Sequence, residues 1–134
     1  MKISLEWQDK FNTGVEEIDY QHRYFLRLIK RFGLLTEEKL DENYLNRLLK
    51  EISSYAVFHF ISEENMMIRN NYPLLSKHQK HHEDLILKLD EQITALQYDK
   101  QSLISLIAFL ANWFMNHTVE EDQKFALFLL EKSS

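Results

Sequence analysis

Only two glycines and one proline occur among the 134 residues of this chain, and this scarcity of helix breakers constrains the fold more than any other feature. Glycine and proline form turns and end helices, so a chain with so few of them favours long helices over many short strands. Apolar residues make up 45% of the chain, a normal value for a globular protein. We therefore predict one domain, residues 1–134, that can bury a core without disulfide or metal staples.

Apolar residues recur every three or four positions along four segments, which is the period of an amphipathic helix. Residues 1–17 lack that period and include the turn sequence Asn-Thr-Gly at 12–14, so we predict a non-helical N-terminal arm there. Breaks near 33–41, 70–73 and 98–100 separate the periodic segments. We predict helices over about 18–37, 41–70, 73–97 and 101–131. Short connections between them indicate an all-α, up-down-up-down four-helix bundle.

Composition and charge exclude several classes of function. The chain has no cysteine, so zinc–thiolate sites are excluded and nothing requires an oxidising compartment. The formal net charge of -5 argues against nucleic acid as a partner. The N-terminus has no long apolar stretch, so no secretory signal is predicted. The most apolar segment, 103–115, is shorter than the ~20 residues that span a bilayer. We therefore expect a buried helix there, no membrane insertion and a cytoplasmic protein.

Six polar side chains lie on the helical stripes that should face the core. Burying an unpaired imidazole or a charged carboxylate is costly unless a hydrogen bond or a metal satisfies it. Any one of these histidines alone would more often be a hydrogen-bonded core residue than a ligand. Two pairs, however, have the i, i+4 spacing that places both members on one helix face, and the whole set favours a metal site. The six residues are His22, His59, Glu63, His78, His82 and His117.

The depth of these residues in the bundle is an independent indication of a shared site. His59 and Glu63 precede the turn at 70–73 by distances similar to those by which His78 and His82 follow it. In an up-down-up-down bundle the first helix begins, and the fourth ends, at that same end of the molecule. All four helices are therefore expected to bring ligands to one layer.

Regular helix geometry leaves open which carboxylate the fourth helix contributes. The i+4 partner of His117 is Glu121, whereas Phe125 and Leu129 continue the apolar stripe from Asp122. We interpret this as one residue inserted into the stripe between 117 and 122, as a widened π-type turn of the kind often found at functional sites. A regular α-helix with Glu121 facing inward would contradict this interpretation.

At these positions the chain resembles hemerythrin, specifically the single-domain bacterial form (bacteriohemerythrin), over nearly its whole length. Five histidines and two carboxylates at these separations are a specific pattern, and the resemblance selects Asp122 over Glu121. The matching residues are Trp7, Gly14-Val15, Ile18-Asp19-Tyr20-Gln21-His22, His59-Phe60-Ile61-Ser62-Glu63-Glu64, Tyr72-Pro73, His78, His82, Trp113-Phe114-Met115-Asn116-His117 and Asp122.

The resemblance implies a cofactor of two iron ions (Fe2+/Fe3+) joined by an oxo or hydroxo bridge, and imidazole and carboxylate ligands suit iron. One iron would then be six-coordinate and the other five-coordinate, with one open position for dioxygen. The implied function is reversible dioxygen binding for storage or transport, with no enzyme activity beyond a weak oxidase or peroxidase side reaction. The implied ligands are His78, His82 and His117 on the first iron, His22 and His59 on the second, and Glu63 and Asp122 as bridges.

Four side chains are expected to line a dry, apolar pocket beside the open position. Among them, Thr118 stands where an aliphatic residue is common in the family. A hydroxyl that faces the pocket would donate a hydrogen bond or admit water and speed autoxidation, whereas one that packs elsewhere or bonds a backbone carbonyl would not. We predict a surface role for His81, which lies off the stripe, and a role for Glu64 as either an outer hydrogen-bond partner or a solvated residue. The four pocket residues are Phe25, Trp113, Phe114 and Thr118.

Two other classes of metalloenzyme need sequence motifs that this chain lacks. A ferritin-like di-iron enzyme would use Glu-x-x-His pairs, and the chain contains none. The zinc-protease motif His-Glu-x-x-His is also absent. The alternative that keeps this site is oxygen or redox sensing, or the reduction of peroxide or nitric oxide. The chain has no room for the output domain of a sensor, although a partner could supply one. We favour a monomer with an oxygen-consuming protein partner.

Overall fold

The computed structural model describes residues 4–132, and within that range it contains helices and no strand. The fourth long helix is divided, because a π-helix over His117–Asp122 joins two α-helical parts. The predicted bounds at residues 1–3 and 133–134 lie outside the described residues. The α-helices are α1 (Glu16–Leu35), α2 (Glu42–Arg69), α3 (Leu75–Thr94), α4 (Lys100–Asn116) and α5 (Gln123–Lys132).

The helices pack as a bundle in which each one contacts its neighbours in the chain. α1 lies against α2 and α4, and α3 also lies against α2 and α4. Because consecutive helices are joined by short connections, they run alternately up and down. The predicted fold class, an all-α four-helix bundle, is confirmed.

Two of the helices, α2 and α4, begin at a side chain that replaces a missing backbone partner. Asp41 accepts a hydrogen bond from the backbone N–H of Tyr44 at 3.1 Å, and Asp99 accepts one from Ser102 at 2.8 Å. Both are aspartates at the N-cap position, where a carboxylate also suits the helix dipole. α2 and α4 therefore begin at Glu42 and Lys100.

The apolar core is divided into two parts along the bundle axis. The larger part fills the bundle from the middle to one end, and Phe32 and Leu110 are among its fully buried side chains. The smaller part closes the other end and consists of Ile18, Met67, Tyr72 and Phe125. On α1 and α2 the polar stripe residues come between members of the two parts, so a polar layer separates two apolar ones.

The N-terminal arm contains one short helical turn, Asp9–Phe11, so the prediction that it is wholly non-helical needs this correction. The arm is attached to α1 through the buried carboxylate of Asp19. That carboxylate accepts hydrogen bonds from the N–H and the hydroxyl of Thr13 at 2.8 and 2.7 Å, and from the N–H of Gly14 at 3.2 Å. Gly14 has φ 86°, a left-handed conformation that glycine adopts without steric cost.

One helical run, Lys100–Lys132, is long and apolar enough to cross a membrane when judged by length and composition alone. The predicted apolar segment, 103–115, lies inside this longer run. The core helix of a bundle passes the same test, and this run buries Leu103, Leu110 and Phe125 in the core. The run also buries three polar side chains, His117, Thr118 and Asp122.

We predict that Asp19→Ala destabilises the protein by about 2 kcal/mol, because it removes a buried acceptor and leaves the donors of Thr13 and Gly14 unpaired. Urea denaturation followed by circular dichroism measures the change. Asp90→Ala, at an exposed position of α3, is the matched control and should change the stability by no more than about 0.5 kcal/mol. Equal stability of the two variants would contradict the role assigned to Asp19.

Candidate metal centre

The structure brings all seven predicted ligand side chains together in the polar layer between the two apolar parts of the core. α1, α2, α3 and the π-helix each contribute at least one of them. None of the seven is more than 4% exposed. They are His22, His59, Glu63, His78, His82, His117 and Asp122.

Asp122 reaches this layer because of the π-helix. The wider turn between His117 and Asp122 replaces the regular α-helical turn that would have directed Glu121 inward. Asp122 is completely buried, while Glu121 is partly exposed. The predicted insertion of one residue into the stripe of the fourth helix is therefore confirmed.

The two carboxylate oxygens of Glu63 face different histidines. Oε1 lies 3.6, 3.2 and 3.7 Å from the Nε2 atoms of His78, His82 and His117. Oε2 lies 3.4 Å from Nε2 of His59 on the other side. Glu63 therefore lies between two groups of imidazoles and presents one oxygen to each.

Asp122 has the same arrangement from the opposite side of the layer. Its Oδ1 lies 3.0 Å from Nε2 of His117 and 3.8 Å from that of His78. Its Oδ2 lies 2.6 Å from Nε2 of His22 and 3.7 Å from that of His59. Both carboxylates thus separate the same two groups of histidines, with three imidazoles on one side and two on the other.

His117 lies near both groups. The donor atoms form two clusters in which every atom is within 4.8 Å of the others. By mutual distance, His117 falls in the larger cluster. Nε2 of His117 nevertheless faces the same two carboxylate oxygens as Nε2 of His78. We therefore group His117 with His78, because side chains that bind one metal direct their ligating atoms at the same point. The clusters are Glu63, His78 and His82, and His22, His59, Glu63, His117 and Asp122.

The nitrogen and oxygen atoms that could bind a metal in this layer lack hydrogen-bond partners among the described residues. Within the part of the chain that the structure describes, the Nε2 atoms of all five histidines and all four carboxylate oxygens are buried without one. Even the close contact between His22 and Asp122 at 2.6 Å does not have hydrogen-bond geometry. An unsatisfied buried polar atom costs about 1–3 kcal/mol, so the apolar bundle keeps these atoms at a large cost. Two cations, one on each side of the carboxylates, would satisfy all of them, and the residues therefore fit a pair of metal ions.

The electrostatics of the layer favour metal binding over protonation of the imidazoles. Burial lowers the pKa of His59 to about 4 and that of His82 to about 2. Burial, together with the charge of Asp122, raises the pKa of Glu63 well above its usual range. Burial also acts to raise the pKa of Asp122, but the imidazoles, that of His117 first, outweigh it and hold this pKa well below its usual range. Neutral imidazole is the form that coordinates a metal.

Two imidazoles are held from behind by an outer hydrogen bond. Nδ1 of His59 lies 2.7 Å from Oε1 of Gln21, and Nδ1 of His82 lies 2.7 Å from Oε2 of Glu64. Each bond leaves Nε2 directed at the centre, as ligand histidines require. Glu64 is therefore an outer partner, one of its two predicted roles. Gln21 was not predicted, although a buried amide next to His22 on α1 is a signal that could have found it.

The three aromatic residues of the predicted pocket pack together beside His22 and His117. Phe25 stacks on Trp113 with ring centroids 5.0 Å apart and lies parallel to Phe114 at 6.1 Å. Phe114 meets the ring of His22 edge-on at 5.8 Å. Thr118 is fully buried, and its hydroxyl has no hydrogen-bond partner. Of the alternatives weighed for Thr118, a bond to a backbone carbonyl is not observed.

Two further aromatic side chains contact the layer in ways that the sequence did not predict. Phe60 stacks on His82 with ring centroids 4.0 Å apart and meets His117 edge-on at 5.1 Å. His81 is half-buried and lies nearly parallel to the ring of His117 at 5.8 Å. His81 therefore remains partly exposed, as its predicted surface role requires, but its ring also contacts that of His117.

We predict that Glu63→Leu stabilises the metal-free protein by about 2 kcal/mol, because it replaces a buried carboxylate without hydrogen bonds by an apolar side chain of similar size. Urea denaturation in the presence of a chelator measures this change. Glu91→Leu, at an exposed position of α3, is the control and should leave the stability within about 0.5 kcal/mol of the parent. A metal-free Glu63→Leu protein that is less stable than the parent would contradict the cost assigned to burying this carboxylate.

Comparisons with known proteins agree with this geometry. A family model described as the hemerythrin HHE cation binding domain matches residues 13–129. A bacteriohemerythrin from Clostridium acetobutylicum is 29% identical over 124 residues, which cover 89% of this chain and 96% of that protein. One from Stenotrophomonas maltophilia is 28% identical over 122 residues, 91% of this chain and 79% of that protein. Because the family model spans most of the chain and the buried donors fit its cation-binding description, this chain belongs to the hemerythrin family and its polar layer is a non-haem iron site.

Proposed function

We propose that this protein binds dioxygen reversibly at a non-haem di-iron centre with an oxo or hydroxo bridge, for oxygen storage or transport. Ferrous iron, when bound, supplies the electrons and the open coordination position that dioxygen binding needs. The observation that carries the proposal is the division of the five imidazoles by the two carboxylates into a group of three and a group of two. Membership of the hemerythrin family supports it independently.

The unequal numbers of histidines on the two sides support an open coordination position on one of them. Glu63 and Asp122 offer one oxygen to each side, so the carboxylates contribute equally to both positions. The side of His78, His82 and His117 then has one more protein ligand than the side of His22 and His59. An external ligand is therefore expected at the two-histidine side.

The surrounding side chains keep that side dry. Phe114 contacts the ring of His22, and Phe25 and Trp113 extend the apolar wall behind it. On the other side of the layer, Phe60 covers His82 and His117. Reversible binding requires that neither water nor further protons and electrons reach the site, and an apolar wall provides that barrier. The cytoplasmic location, the monomeric state and the oxygen-consuming partner stay predictions.

We predict that iron-reconstituted protein contains two irons per chain and that its reduced form changes colour in air and recovers under argon over repeated cycles. Iron analysis and optical spectra measure both properties, and Glu63→Leu, which lacks one of the two carboxylates, provides the comparison. A single iron per chain, or a spectrum that never recovers, would contradict the proposal. Rapid multi-turnover consumption of dioxygen, peroxide or nitric oxide would instead support the enzymatic alternative.

We predict that Thr118→Val slows the autoxidation of the reduced, iron-loaded protein, because it removes a hydroxyl that is buried next in the chain to His117 and has no hydrogen-bond partner among the described residues. Valine has nearly the same shape, so the packing of the π-helix should be retained. The rate of spectral change in air measures autoxidation. An unchanged rate would mean that the hydroxyl plays no part in the pocket.

A further inference from the structure

The outer hydrogen-bond partners on the two sides of the iron site differ in charge. His82, in the group of three, has its Nδ1 bonded to the carboxylate of Glu64 at 2.7 Å. His59, in the group of two, has its Nδ1 bonded to the neutral amide of Gln21, also at 2.7 Å. The two bonds have the same length and both reach Nδ1 of their histidine, so the acceptors differ in charge and, because Glu64 is 21% exposed and Gln21 6%, in burial.

Gln21 is held by further hydrogen bonds besides the one to His59. Its Nε2 donates a hydrogen bond to Oγ of Ser62 at 2.9 Å, and its Oε1 faces Nδ1 of His59. The backbone carbonyl of Gln21 accepts a hydrogen bond from the hydroxyl of Tyr55 at 3.0 Å. Only 6% of Gln21 is exposed. With the amide oxygen facing it, Nδ1 of His59 must carry the proton, and the Nε2 lone pair points at the centre.

The charge of the acceptor affects the metal through the imidazole. A carboxylate attracts the Nδ1 proton more strongly than an amide does, and this makes the imidazole a stronger electron donor to its metal. Stronger donation stabilises the more highly charged oxidation state. The iron beside His22 and His59, where an external ligand is expected, has the weaker of the two outer acceptors.

We propose that Gln21 is a positioning residue that selects the Nδ1–H tautomer of His59 and, because its amide is neutral, keeps the two-histidine iron harder to oxidise than a carboxylate at the same place would. Glu64 has the opposite effect on the three-histidine iron through His82. This inference rests on the di-iron centre of the proposed function, but it does not depend on dioxygen binding.

The tautomer is tested first, without metal. The ¹⁵N shifts of His59 in the metal-free protein should show a proton on Nδ1, and Gln21→Leu should abolish that preference because leucine has no acceptor. Gln21→Leu should also weaken iron binding about tenfold to a hundredfold, the usual effect of losing an outer partner. Ser62→Ala removes the group that orients the amide and should shift the tautomer in the same direction, so the test does not depend on one variant folding.

The charge effect is tested by exchanging the two acceptor types in the iron-loaded protein. Gln21→Glu should keep the tautomer and lower the midpoint potential of the centre, while Glu64→Gln should raise it. Gln92→Glu, which adds the same charge at an exposed position of α3, is the matched control and should leave the potential unchanged.

Three results would overturn the inference: an unchanged tautomer in both Gln21→Leu and Ser62→Ala, unchanged iron affinity in Gln21→Leu, or the same potential in Gln21→Glu and Gln92→Glu. If these measurements give the expected shifts but the protein does not cycle between argon and air, the proposed function fails and the role of Gln21 stands. If the protein cycles normally and the shifts are absent, only the role of Gln21 is lost.

Discussion

The rest of the structure depends on one layer of buried imidazoles and carboxylates inside an otherwise apolar bundle. Among the described residues, the metal-facing atoms of this layer have no hydrogen-bond partner. Folding alone would not keep five imidazoles and two carboxylates there, since each unsatisfied atom lowers the stability of the protein. The helices pack together because their apolar faces are buried. The polar side chains lie on the same faces, so packing brings them into one layer of the bundle. Metal binding recovers the free energy that the layer costs, so the fold and the iron site are energetically coupled.

Much of this arrangement could be predicted from the sequence because α-helices are rigid and regular. A fixed rise per residue allows the depth of His59 and Glu63 to be compared with that of His78 across the turn at 70–73. The π-helix could be predicted for the same reason, since the apolar stripe of the fourth helix changes phase between His117 and Asp122. Periodicity thus determines the face of each helix and the level of each residue.

Periodicity does not determine which neighbour a side chain meets. His81 lies off the stripe, yet its ring lies nearly parallel to that of His117 on the fourth helix. The division of the carboxylate oxygens between two groups of histidines depends on rotamers selected by all four helices together. The bonds of Gln21 to both His59 and Ser62 depend on the spacing between α1 and α2. These features follow from packing between helices, which a one-dimensional pattern does not contain.

The position of the metals tests the central claim most directly. Anomalous diffraction at the iron edge, from crystals of iron-reconstituted protein, would locate each ion independently of the ligand assignment. We expect two peaks of equal height, one beside His82 and one beside His22, with both Glu63 and Asp122 between them. A single peak, or a second ion bound away from the carboxylates, would contradict the di-iron centre described above.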